Sequence, residues 1–304
     1  MSAVNTPATT MRTEVLAPPT RRGRDRAKLV SRGIFFLLAC LGAFVMLFPV
    51  FWMVSTALKV SGDVFTSPPV LFPLHPQWHN FGDAVTLPAL SDNFFLYVWN
   101  TSWYTVLEVI GDTISGAVIA YGFARLRAPG STFLFFLVLA TIMVPFEATL
   151  VPQIVLFKTL GWIDTPLPLI VPTFFGNAFN IFLLRQFFRG IPRELDEAAT
   201  LDGLGHPGIF WRIILPLSKP ALAAVAVFSF VFHWNDLLGP LVYLNSSSKY
   251  PVSLALYFFT GSYGTAQWNL LMAAALISAL PCLLLFFAAQ RYFIQGIVVS
   301  GVKG

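Results

Sequence analysis

An all-α integral membrane protein with six transmembrane helices is the fold class this sequence predicts, and three observations carry that reading. Of 304 residues, 56% are hydrophobic, 15% aromatic and only 11% charged, against roughly 25% charged in soluble domains. Six windows of about 20 predominantly apolar residues are each long enough to cross a hydrocarbon core of about 30 Å. Sixteen of the 19 Lys and Arg residues fall on one side of the resulting topology. The apolar runs are continuous rather than alternating, which selects helices over a barrel, because lipid tolerates only structures that satisfy their own backbone.

Taken in order, residues 1–31 are rich in Thr, Pro, Ala and Arg and read as a disordered cytoplasmic tail with little to bury. The apolar run from Ile34 is too long for a signal-peptide core, and no small-residue cleavage site follows it. A membrane domain over 32–304 then places its spans at 34–56, 99–123, 132–152, 166–187, 220–243 and 269–290. Arg12, Arg21, Arg22, Arg24, Arg26, Lys28 and Arg32 precede the first span, and Arg125 and Arg127 follow the second. Arg185, Arg189, Arg193, Arg212 and Lys219 surround the connector between spans four and five, and Arg291 and Lys303 follow the sixth. Lys59, Lys158 and Lys249 alone lie on the other side. The positive-inside bias therefore puts both termini in the cytoplasm. Trp52, Trp99, Trp103, Trp162 and Trp268 fall at or near outer ends, as an aromatic belt does. The net charge of +5 is mostly this topological bias and needs no nucleic acid to explain it. Cys40 and Cys282 sit inside apolar spans and read as core, without a disulfide framework.

The connector at about 188–219 concentrates charge between two apolar runs. In IPRELDEAATLDG, Pro192 suits the first helical position, Glu194, Asp196 and Glu197 favour the positive end of a helix dipole, and Asp202-Gly203 supplies a turn. A short surface helix is expected, with Ala198, Ala199 and Gly203 leaving a shallow face beside Glu197. In HPGIFWRIILPLSKP, the near-helical spacing of Ile209, Phe210, Ile213, Ile214 and Leu217 suits a helix lying along the membrane, with Arg212 and Lys219 reaching headgroups. Pro216 and Pro220 then turn the chain into span five. On these residues alone a solvated interfacial connector and a docking device both remain open.

Ionisable groups inside spans are the other informative feature. Glu108 and Asp112 lie four apart on one face near the middle of span two, where a central Asp costs about 2.5–3.5 kcal/mol on the insertion scale. Such groups seldom face lipid. Glu147 in span three and His233, Asn235 and Asp236 in span five fall at middle to outer depth. Glu108, Asp112, Glu147, Asn235 and Asp236 are expected to line one polar pathway; pairing with a second membrane subunit is the alternative. His75 and His79 lack a Cys or acidic cluster to complete a metal site, so no metal is expected. A phosphate-cradling G-x-x-x-x-G-K-[ST] loop is missing, and no Gly-Lys pair occurs anywhere. No catalytic residue is expected in this chain.

EAATLDG followed by FWRIILPLSKP resembles the EAA loop of permease subunits in ABC importers, a pattern of EAA with DGA three residues on and an Ile-x-LPL-x-x-P ending. Glu197, Ala198, Ala199, Asp202, Gly203, Ile213, Leu215, Pro216, Leu217 and Pro220 match it, while Leu204 stands where Ala is commoner. SPPVLFPLHPQWHNF, AYGFARLRAPG, MVPFEATLVPQ, WNDLLGPLVYL and the closing QRYFIQGIVVSGVKG extend the likeness over most of the chain after the tail. Together they are similar to the shorter permease of maltose-type carbohydrate importers, a type I fold in a bacterial or archaeal cell membrane. The resemblance implies a sister permease, a homodimeric or paired cytoplasmic ATPase that holds ATP and Mg, a periplasmic or extracellular solute-binding protein, and a sugar substrate. It also implies that the short helix couples to the ATPase through Glu197, Ala198, Ala199, Asp202 and Gly203. Gly261, Tyr263 and Gln267 would face the binding protein. A stand-alone secondary transporter relaying protons through Glu108 and Asp112 is the alternative, which leaves the loop unexplained and shows no inverted repeat.

Overall fold

The computed structural model describes residues 21–86, 93–259 and 267–301, and of 21–30 and 291–301 the backbone alone. Secondary structure among these is helical throughout. The chain divides into Met1–Trp52 and Met53–Gly304.

The first unit is built on α1 (Arg21–Ala57), whose side chains from Arg32 to Val50 are all exposed. Its apolar section, Ser31–Ala57, is long enough to cross a membrane. Residues 21–31 are already helical, within the tail expected over 1–31; residues 1–20 are outside the described set. Phe48 stacks on Trp52 at 6.3 Å between centroids.

Within the second unit the carbonyls that end α1 are closed by Asn80 of α2 (His79–Thr86), whose Nδ2 donates to Ala57 O at 2.8 Å and Lys59 O at 2.9 Å. The central element is α3 (Phe94–Arg125), which packs on α7 (Ala178–Gly190) and α11 (Lys219–Trp234). Its composition explains how it sits. Phe95, Trp99, Val106, Ile110, Ile114 and Val118 recur at helical spacing on the exposed side, while Thr101, Thr105, Glu108, Gly111, Asp112, Ser115 and Gly116 are buried. The large apolar groups face outward and the small and polar ones inward, which is how helices associate where the surroundings are as apolar as leucine.

The expected span at 132–152 is not one helix. α4 (Ser131–Thr141) and α5 (Phe146–Thr159) meet at 95°. Pro145, at the N-cap of α5 with φ −66° and ψ 140°, lacks an N–H for the preceding turn and disfavours helix in the residue before it. Span four runs over Leu167–Gly190 but is interrupted: α6 (Leu167–Ile170) passes into a 3-10 segment, Val171–Phe175, then breaks at Gly176 with φ +98°. Asn177 restarts it as α7, its side chain accepting from Phe179 N at 3.0 Å and Asn180 N at 3.3 Å.

Span five, expected over 220–243, is also divided. α8 (Glu194–Leu201) and then α9 (His206–Ile209), a π turn at Phe210–Ile214 and α10 (Leu215–Leu217) precede it. The chain turns 77° between His206–Leu217 and α11, at Ser218 between Pro216 and Pro220. α11 has 16 residues, about 24 Å of rise and short of a hydrocarbon core. It breaks at 235–237 before α12 (Leu238–Tyr243). α13 (Val252–Phe258) and α14 (Trp268–Gly301) complete the unit. α1, α3, Leu167–Gly190 and α14 are individually long and apolar enough to cross a membrane, and the two bent pairs bring the number to as many as six.

Candidate functional site

α8 is where the sequence places most chemistry, and its geometry sorts the residues by direction. The helix starts at Glu194, so Pro192 stands two residues before it rather than in the first helical position. Glu194, Asp196 and Glu197 occupy the first turn, where negative charge offsets the exposed amide dipoles. Asp196 turns inward and Oδ2 meets Arg125 Nη1 at 3.3 Å. Ala199 is buried at 5% exposure among Phe188, Ile191, Ile209 and Phe210. Glu197, Ala198, Leu201 and Asp202 face outward with Gly203, and Leu201 is 89% exposed. Leu201 thus stands on the outward side of α8 with Ala198 and the two acids Glu197 and Asp202.

The end of α8 is set by Gly203. Its φ of +83° is a left-handed conformation that glycine adopts without strain. Leu204 N donates to Ala199 O at 2.9 Å and Gly203 N to Thr200 O at 3.0 Å, the paired bonds of a Schellman ending. Leu204 is the apolar residue that such an ending packs inward. It lies against the core cluster, close enough to Gly208 that a Cβ there would meet Leu204 Cδ2 at 3.1 Å. The bulkier residue at 204 therefore faces the interior and leaves the outer face of α8 unchanged.

α3 reaches α8 at its last two turns. Arg125, its side chain 3% exposed, pairs with Asp196 through Nη1 and donates from Nη2 to Ile191 O at 2.9 Å. Tyr121 OH donates to His206 O at 3.1 Å. The positive-inside count used Arg125 only as one of many cations. No local pattern marks it, because Asp196 is far along the chain.

In the middle of the same helix, Glu108 and Asp112 converge on His233, the penultimate residue of α11. His233 Nε2 is 3.0 Å from Asp112 Oδ2, a hydrogen bond, and Nδ1 is 3.7 Å from Glu108 Oε2, an electrostatic contact. The two carboxylates are 4% and 3% exposed. A partner inside the chain thus offsets the cost of their burial. Asp236, in the break after α11, receives Gly239 N at 3.2 Å on Oδ1 and joins Glu108, His233, Tyr104 and Thr105 around a small cavity. Of the expected pathway residues, Glu108, Asp112 and Asp236 come together through His233. Glu147 is exposed at the start of α5, and Asn235 is exposed with its amide returned to Val231 O at 2.7 Å. Gly261 and Tyr263 lie outside the described residues, and Gln267 is exposed just before α14. Among the described residues no group of three His, Cys, Asp or Glu is arranged to hold a metal; His79 lies 3.8 Å from Asp83.

Comparison with known proteins bears on both features. The family described as binding-protein-dependent transport system inner membrane component matches residues 113–299, a stretch that contains α8 and His233. The chain is 35% identical over 269 residues to the osmoprotective compounds uptake permease protein GgtD of Synechocystis, covering 86% of this chain and 89% of that one. It is 30% identical over 262 residues to the arabinooligosaccharides transport system permease protein AraQ of Halalkalibacterium halodurans, covering 86% and 93%. Its fold is similar to that of a chain in a bacterial ABC transporter that imports the acidic polysaccharide alginate, with a TM-score of 0.73, 23% identity, and coverage of 91% of this chain and 100% of that chain.

Proposed function

The chain belongs to the family of binding-protein-dependent transport system inner membrane components, and from that premise we propose that it forms the translocation pathway of an ATP-driven sugar or oligosaccharide importer together with a sister permease. It is a transport subunit rather than an enzyme. Hydrolysis of ATP falls to a paired cytoplasmic ATPase, and solute is delivered by an extracellular or periplasmic binding protein. The sugar class rests on relatives such as the arabinooligosaccharide permease.

One observation carries the coupling role: α8 presents Glu197, Ala198, Leu201 and Asp202 outward while Asp196 and Ala199 fasten its other side to the chain. A helix held on one side and bare on the other can pass a push from a partner into the spans, provided the contact favours one arrangement over the other. Glu108, Asp112, Glu147, Asn235 and Asp236 are assigned to the pathway and Gly261, Tyr263 and Gln267 to the binding-protein face. The secondary-transporter alternative is not carried forward, because the family works with a binding protein.

The double variant Glu197→Lys, Gly203→Pro tests this. Lysine opposes the basic surface expected on the ATPase, and like charge at an interface costs several kcal/mol. Proline fixes φ near −65° and cannot take the +83° of Gly203. Neither residue lies in a span. The variant is expected to insert normally while the purified complex loses its ATPase subunits or binds them without transport. Normal ATPase recovery together with normal uptake would overturn the role of α8.

A further inference from the structure

The end of α3 grips α8 just before, within and just after the helix. Arg125 Nη2 donates to Ile191 O, just before α8, while Nη1 pairs with Asp196 inside α8, and Tyr121 OH donates to His206 O, just after it. Arg193 Nη2 adds a long contact to Ala124 O at 3.5 Å. The other face that α8 turns inward is Ala199 packed on apolar side chains, a contact without direction that permits sliding. Arg125 is hydrogen-bonded at Nη2 and ion-paired at Nη1, and two contacts from one planar guanidinium restrict its orientation more than a single ammonium contact does. About 20 Å further up the same rigid helix, Asp112 is bonded to His233 of α11.

We infer that Arg125 is the positioning residue that hands motion of α8 to α3, so that α3 is the span the ATPase moves. The inference rests on the coupling role proposed for α8 and adds which span receives the push and through which side chain. Asp196 is its counterpart, and the two inward acids thereby act at different depths, Asp196 transmitting at the cytoplasmic end and Asp112 passing the displacement to α11.

The test uses the complex purified with its ATPase, carrying a nitroxide at Trp99→Cys, an exposed outer position of α3, with Cys40 and Cys282 replaced by Ala. The probe is ATP with vanadate, so the transported solute need not be known. The spectrum of the label is expected to change on adding nucleotide. Arg125→Gln should reduce that response about tenfold, the scale of an ordinary coupling free energy, while the ATPase stays bound and its basal hydrolysis is retained. Asp196→Asn should reduce it in part, and Arg125→Lys should recover part of what Arg125→Gln loses. A merely structural role would lower assembly and hydrolysis together and leave the response of whatever complex assembles unchanged. A full response in assembled Arg125→Gln overturns the inference, as does a label that ignores nucleotide in the unmodified complex. Should Arg125→Gln fail to assemble, Asp196→Asn decides: it leaves the bond to Ile191 O in place, and a full response there is equally fatal. Recovery of no ATPase with the unmodified chain would instead remove the role of α8 itself, and this inference with it.

Discussion

Single residues in this chain act by joining segments far apart in sequence, and Asp164 does so at the end of the molecule opposite α8. It sits at φ 59°, a left-handed conformation that aspartate tolerates better than most residues. Its Oδ1 accepts Asn245 N and Ser246 N at 2.9 Å each, and Oδ2 accepts Ser246 Oγ at 2.6 Å and Lys249 Nζ at 2.9 Å. The bond from Ser246, then that from Lys249, holds the carboxyl well below the usual carboxylate range. A depressed value stabilises the fold above the unfolded pKa of about 3.9, and that contribution is lost as pH falls below it towards the folded value. Asp164→Asn keeps an oxygen for the two backbone amides and the same backbone tolerance, but removes the charge. The variant is therefore expected to melt a few degrees below the wild type at neutral pH. That gap should stay constant down to about pH 5 and narrow below about pH 4 as the unfolded wild-type chain takes up a proton at Asp164 that the folded one does not. Thermal melts in detergent across this range measure it, and a gap that persists undiminished at the acid end counts against the staple. Nothing in the sequence announces Asp164, because its partners stand 81 to 85 residues away. Gly203 is the contrast: Asp202-Gly203 is a local turn signal, and the positive φ is found where the dipeptide puts it.

Helices meet most closely where glycine removes a side chain, and α3 contains both a glycine that is needed and one that is not. A Cβ at Gly111 would collide with Thr173 Oγ1 and lie 2.9 Å from Phe174 Cδ2, in the 3-10 segment of span four. At Gly122 of the same helix it would meet nothing within 4 Å. Gly111→Ala is therefore expected to destabilise the protein by about 1–3 kcal/mol through overpacking, whereas Gly122→Ala should be neutral or stabilise by up to about 1 kcal/mol from helix propensity. Thermal midpoints of the two variants in one detergent settle it, and equal shifts would mean that α3 and the broken segment do not touch as described. This contact also marks the limit of what hydropathy conveys. Runs of apolar residues marked six candidate spans, of which four are individually long enough to cross, but an average over about 20 residues is blind to direction. It joined α4 to α5 across Pro145 and α11 to α12 across 235–237, although the chain turns or breaks at both. Proline and glycine at 145, 172 and 176 were legible as letters. That they interrupt spans rather than bend them follows from where the freed backbone groups find partners, such as Thr173 O accepting Ser115 Oγ at 2.9 Å, and this is a tertiary fact.

At the scale of the whole chain, the features so far described sort to opposite ends of α3, and that arrangement gives the topology a direct test. Ser248 O and Tyr250 O accept Asn100 Nδ2, and Lys249 O accepts Tyr104 OH, so the 246–250 loop lies by the N-terminal turns of α3. Trp103, Trp162 and Tyr243 cluster there with Phe157, an aromatic group of the kind that sits at a membrane interface. Arg125 and α8 are at the other end, next to exposed Arg127, Arg212 and Lys219. Lys and Arg near span ends are retained in the cytoplasm, so the α8 end is expected to be inside and the 246–250 loop outside. A reporter active only in the cytoplasm should work when fused after Gly304 and fail when inserted near Ser247; one active only outside should do the reverse. The fusion after Gly304 preserves every span, and the insertion at Ser247 falls in an exposed-to-half-buried loop, so loss of signal through misfolding is checked by the complementary reporter at the same place. Both reporters agreeing on an external Gly304 would put α8 outside the cell, out of reach of any cytoplasmic ATPase, and the importer reading would fall while the helical fold stood.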